Sequence, residues 1–105
     1  MDIAPEQVAE LQSEGTVQLI DVREPYEWDA GRIPGARHVE LALVANEADS
    51  IERGEPVVFV CRVGGRSTMA ASAFRRAGFD AYSLAGGVLA WKARGLPFDG
   101  EVADH

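Results

Sequence analysis

Cysteine is nearly absent from this chain: Cys61 is the only one in 105 residues. One thiol excludes an internal disulfide and gives no sign of an oxidising compartment, so a cytoplasmic location is expected. Histidine is scarce too, with only His38 and His105. Neither stands at a metal-ligand spacing from Cys61, so no metal and no other cofactor is expected. No apolar run approaches bilayer length, and residues 1–6 lack the basic and apolar regions of a secretory leader. Basic residues are outnumbered, 10 lysines and arginines against 17 carboxylates, for a net charge of -7. That balance argues against nucleic acid or an anionic membrane as a general partner. Internal repeats and low-complexity tracts are also missing.

What is present is an ordinary globular composition, 47% hydrophobic and 26% charged, at a length that suits one compact domain. Continuous apolar runs at residues 16–22 (TVQLIDV) and 56–60 (PVVFV) suit parallel strands covered on both faces. Shorter runs at 36–39 and 81–84 are candidates for further strands. Helical patterns lie between them. Residues 5–13 place Pro5 in the first turn, with Val8 and Leu11 three apart, although Ala4 is a poor N-cap. Residues 67–77 put Met69, Ala70, Ala73, Phe74 and Ala77 on one face, and Gly78 supplies the stop. Residues 87–94 suit a short last helix. This alternation predicts an α/β fold with a mainly parallel sheet. Residues 99–105 read as a frayed, acidic tail. Small size and the lack of an apolar surface stripe favour a monomer.

The charge is unevenly spread. Residues 61–76 hold Arg62, Arg66, Arg75 and Arg76 and no carboxylate. Arg75 and Arg76 fit a helix C-terminus, where cations are favoured; Arg62 and Arg66 fall before or at the helix start and need another reason. The stretch Val60-Cys61-Arg62-Val63-Gly64-Gly65-Arg66-Ser67 reads as strand end, cysteine, glycine-containing loop and helix start. In an open parallel sheet, ligands bind beyond the carboxyl ends of strands. Glycines let successive N–H groups converge into an anion-binding nest, and the helix adds its positive end. Each contribution favours negative charge on the sulfur and a nucleophilic role for it. A lone cysteine is usually a buried, inert thiol; these neighbours tip the reading to function.

Cys61-Arg62-Val63-Gly64-Gly65-Arg66-Ser67 resembles the active-site loop of the rhodanese family. Residues 19–28 (LIDVREPYEW) and 31–36 (GRIPGA) resemble that family's upstream signature, with Arg32 where histidine is common. Residues 78–92 (GFDAYSLAGGVLAWK) resemble its closing segment. The resemblance implies a rhodanese domain over residues 1–98, followed by the tail, and a five-stranded, mainly parallel sheet flanked by helices on both faces. It implies a thiosulfate sulfurtransferase in which Cys61 forms a persulfide, then passes the sulfur to cyanide or a cellular thiol. Arg62, Val63, Gly64, Gly65, Arg66 and Ser67 would hold the substrate, with the two arginines orienting departing sulfite.

Other readings are weaker. Cysteine-dependent phosphatases and arsenate reductases use a cysteine-arginine loop around an oxyanion, but the phosphatase pattern places one more residue between the two, and the shorter loop here leaves less room for a tetrahedral phosphate. A non-catalytic interaction module normally lacks the cysteine. A relay that delivers the persulfide to a protein partner would use the same loop and stays open. His38 could approach Cys61 as in a Cys-His hydrolase, but a strand-end role is expected. Asp21 is expected to make a structural ion pair with Arg23 or Arg66, and Trp28 and Trp91 to pack. Gly86-Gly87 reads as a turn into a helix, too short for a nucleotide-binding fingerprint.

Overall fold

The computed structural model describes residues 1–104; His105 lies outside the described residues. In chain order the elements are β1 (Asp2–Ile3), α1 (Pro5–Glu14), β2 (Gln18–Asp21), α2 (Pro25–Ala30), β3 (Gly31–Arg32) and β4 (Arg37–His38). A 3-10 segment (Leu41–Ser50) follows, then β5 (Val57–Val60), α3 (Gly65–Arg76), β6 (Ala81–Leu84), α4 (Gly87–Ala93) and β7 (Asp99–Gly100). Five strands form one parallel sheet in the order β1-β6-β5-β2-β4. This is the expected α/β architecture. No helix among the described residues is long and apolar enough to cross a membrane.

The central strand explains the continuous apolar run. All four residues of β5 are 0% exposed, because side chains alternate between two covered faces. Val57 and Phe59 join Ala70, Ala71 and Phe74 of α3 and Val44 of the 3-10 segment. Val58 and Val60 join Val8 of α1 and Val88 and Trp91 of α4. Burying each such side chain contributes roughly 1.5–3 kcal/mol. Trp91 packs as expected and donates its indole N–H to the Pro97 carbonyl at 2.7 Å.

Several elements differ from the sequence reading. Helix α2 and the 3-10 segment were not expected, since neither carries a long amphipathic repeat. Helix α3 starts two residues before Ser67, and its buried face is Ser67, Ala70, Ala71 and Phe74. Met69 consequently turns outward and is 64% exposed. The C-terminal segment is not frayed where it is described: β7 pairs antiparallel with β3, and the Glu101 N–H donates to the Ala30 carbonyl.

Just past β2 the chain buries a full ion pair. Asp21 and Arg23 are both 0% exposed, and Arg23 Nη2 meets Asp21 Oδ2 at 2.8 Å. Arg23, not Arg66, is thus the partner of Asp21. The guanidinium also donates to the Gly31 carbonyl at 2.7 Å and the Glu27 carbonyl at 3.4 Å, tying the end of α2 to the sheet. Removing one partner leaves a buried charge unpaired. Asp21→Asn is therefore expected to cost about 3–5 kcal/mol of folding stability, measured as a shift of the urea midpoint at constant slope.

Candidate active site

Cys61 is the first residue after β5, at the carboxyl end of the sheet and 1% exposed. The chain turns at Gly64, whose φ of 123° favours glycine, and enters α3 at Gly65. The turn folds the loop around the sulfur. The Gly64 N–H donates to Cys61 Sγ at 3.1 Å and the Ser67 N–H at 3.4 Å. The Ser67 hydroxyl lies 3.3 Å from the same atom. Two backbone donors and one hydroxyl thus surround the sulfur.

A second helix braces the loop from below. The Val88 N–H donates to the Cys61 carbonyl at 2.9 Å and the Leu89 N–H to the Arg62 carbonyl at 3.2 Å. These are first-turn groups of α4, which the helix itself leaves unpaired. The fit requires glycine at position 87, where φ is 61° and a Cβ would overlap the Arg62 carbonyl. The sequence showed Gly86-Gly87 only as a helix entry; no local pattern ties it to a cysteine so far away.

The loop arginines do different work. Arg66 forms a bidentate pair with Glu27, at 2.6 and 3.0 Å. Each of its terminal nitrogens gives one N–H to this pair, so Glu27 fixes where the guanidinium sits beside the loop. Glu27 is only 2% exposed and also accepts the Glu24 N–H at 3.0 Å, closing a capping box at the start of α2. Burial pushes the Glu27 carboxyl up, but the Arg66 hydrogen bond, the Glu24 N–H and the charges of Arg66 and Arg23 outweigh it and hold the carboxyl below its ordinary range. Reciprocally, the Glu27 hydrogen bond raises Arg66. Arg62 extends its Nε–H to the Ala103 carbonyl at 3.0 Å. Val63, at the loop crest, is 58% exposed.

The other candidates lie outside the sulfur's contacts. His38 Nε2 sits 2.8 Å from the Arg23 carbonyl, and its ring stacks on Trp28 at 4.9 Å. Arg32 also leans on Trp28, bonding its carbonyl at 3.1 Å and covering its ring. No group of three or more His, Cys, Asp or Glu that could hold a metal occurs among the described residues. A buried hydroxyl behind the site was also missed. Ser83 on β6 is 1% exposed, and its hydroxyl lies 2.7 Å from that of Ser67.

Residues 4–94 match the family model of the rhodanese-like domain. The chain is 40% identical to the thiosulfate sulfurtransferase GlpE of Pseudomonas aeruginosa over 92 residues, covering 87% of this chain and 83% of that protein. Among solved structures, a rhodanese-related protein from Thermoplasma volcanium superposes with a TM-score of 0.85 at 24% identity, covering 95% of this chain and 98% of that one. A rhodanese-like domain protein from Staphylococcus aureus gives 0.79 at 28% identity, with coverage of 86% and 89%.

The Glu27–Arg66 pair makes an acid-side prediction. A carboxyl lowered by folding stabilises the fold above its unfolded value of about 4.3 and loses that contribution as pH falls through the lower folded value. Glu27→Gln should therefore be less stable than the wild type at pH 7, by about 2 kcal/mol. The gap should narrow as pH drops below about 4, read from chemical denaturation at each pH.

Proposed function

The chain belongs to the rhodanese-like domain family, and on that premise we propose that it moves sulfane sulfur through a persulfide on Cys61. The observation that carries this reading is the pair of backbone N–H groups, from Gly64 and Ser67, aimed at Cys61 Sγ. Peptide donors stabilise an anionic sulfur in a water-poor site while exchanging no proton with it. They suit a nucleophile whose intermediate is itself an anion.

The reaction runs in two displacements. The Cys61 thiolate attacks the outer sulfur of thiosulfate; an S–S bond forms, the donor's S–S bond breaks, and sulfite leaves with the electron pair. The outer sulfur of the new persulfide now carries the charge. Cyanide or a cellular thiolate then attacks that sulfur, and the electron pair of the enzyme's S–S bond returns to Cys61. Val63, Gly64, Gly65 and Ser67 shape the cradle. Arg62, whose terminal nitrogens make no further hydrogen bond among the described residues, attracts the dianionic donor. Arg66 is held in place by Glu27, and its remaining N–H groups add positive charge for the donor and the departing sulfite. The loop of only four residues between Cys61 and Arg66 weighs against phosphoryl transfer, because it leaves less room for a tetrahedral oxyanion.

Residues 1–98 form the sulfurtransferase domain, to which β7 fastens the segment that follows, and it works in the cytoplasm, where a lone reactive thiol stays reduced. A protein thiol could serve as acceptor at the same loop, making the chain a sulfur relay.

Three measurements test the reading. Cys61→Ser is expected to abolish thiocyanate formation from thiosulfate and cyanide while keeping the wild-type unfolding midpoint; retained turnover would overturn the assignment. Intact-mass spectrometry after thiosulfate treatment should show one added sulfur, removed by cyanide. Hydrolysis of an aryl phosphate at a comparable rate would favour the phosphatase reading instead.

A further inference from the structure

Ser83 occupies a place where the sheet calls for an apolar side chain. It follows Ala81 by two residues on β6 and pairs across the sheet with Phe59, so it faces the cluster that holds Ala81, Phe59 and Cys61. A hydroxyl buried there is unfavourable unless its hydrogen bonds are made. They are made with two other hydroxyls: Thr68 Oγ1 donates to Ser83 Oγ at 3.4 Å, and Ser67 Oγ lies at 2.7 Å.

Counting protons fixes the direction of this chain. Each hydroxyl has one proton and two acceptor positions. Ser83 accepts from Thr68, and its own proton has no acceptor among the described residues other than Ser67 Oγ, so the arrangement that uses every buried proton has Ser83 donating to Ser67. Ser67 is then left with one proton and two acceptors at nearly equal distance, the Gly64 carbonyl at 3.2 Å and Cys61 Sγ at 3.3 Å. A bond to either is compatible with the same side-chain position.

The charge on Cys61 Sγ changes during turnover, while the backbone donors stay fixed. In the persulfide the charge sits on the outer sulfur, and the Ser67 proton is better used by the Gly64 carbonyl. When the acceptor removes the outer sulfur, the electron pair returns to Cys61 Sγ, and the same proton can turn to meet it. We propose that Ser83 is a positioning residue for this discharge step: by donating to Ser67, it leaves the Ser67 proton to follow charge onto Cys61 as the persulfide is broken. The inference rests on the persulfide reading of the site and adds a residue on β6 to it.

The test isolates discharge from loading. Protein is loaded with thiosulfate, freed of excess donor and mixed with cyanide, and thiocyanate release is followed in a single turnover. Ser83→Ala should discharge about tenfold more slowly, the size expected for one hydrogen bond to a charge-bearing group, with a smaller effect on loading. In a Ser67→Ala background the same substitution should add nothing, because Ser83 acts only through Ser67. The near-isosteric pair Ser83→Thr and Ser83→Val controls for packing; the threonine variant should discharge faster than the valine variant. An unchanged rate in Ser83→Ala, an equal loss in both backgrounds, or equal rates for the isosteric pair would overturn the relay. A wild-type protein that takes up no sulfur would instead overturn the persulfide reading, and does so at the loading step before any variant is compared.

Discussion

A sulfur atom that must bear negative charge while 1% exposed has to be solvated by the protein itself. Here the peptide groups of a single tight turn supply that solvation, and the rest of the site follows from keeping the turn in shape. Donors fixed in the backbone need no reorganisation when charge appears, which is why they outperform mobile side chains at such a task. They carry one demand. The loop must not relax, because a shift of a few tenths of an ångström would lengthen bonds that already span 3.1 and 3.4 Å.

Three separate contacts meet that demand. The first turn of α4 grips the loop carbonyls from one side, and Arg66 fastens the start of α3 to Glu27 from another. Glu27 belongs to α2, and the last turn of α2 is anchored by buried Arg23, itself paired with Asp21 at the end of β2. A line of charged hydrogen bonds thus runs from the sheet to the Cys61 loop. Its members are buried or half-buried, so solvent screens them little. The net acidity of the protein is compatible with anionic chemistry because the local carboxylate is committed to an arginine.

The core of this arrangement was legible in the residues. A continuous apolar run ending in cysteine, then glycines and a helix start, is a local signal, and β5, Cys61 and α3 lie where it put them. The Asp21 ion pair was also anticipated, with Arg23 as one of two candidate partners. What escaped was non-local. Glu27 in α2, Ser83 in β6 and Gly87 in α4 reach the loop only through sheet order and helix packing, which no spacing in the chain encodes. The Glu27 partner of Arg66 escaped for the same reason: its neighbours in sequence suggest an anion, and nothing there points to a carboxylate on α2. The C-terminal segment looked frayed because its polar composition hides the pairing of β7 with β3.

The dispersal of those supports limits what the short cysteine-to-serine loop can do alone. Copied onto another strand–helix junction, it would bring the thiol, the turning glycine and the two backbone donors. It would leave behind the carboxylate that occupies Arg66, the α4 N–H groups that hold the Cys61 and Arg62 carbonyls, and the hydroxyl behind Ser67. Arg66 would then be loose beside the sulfur, and the turn would be free to open. A minimal transplant therefore needs residues from four elements, and the portable unit is nearer to the whole sheet than to the motif.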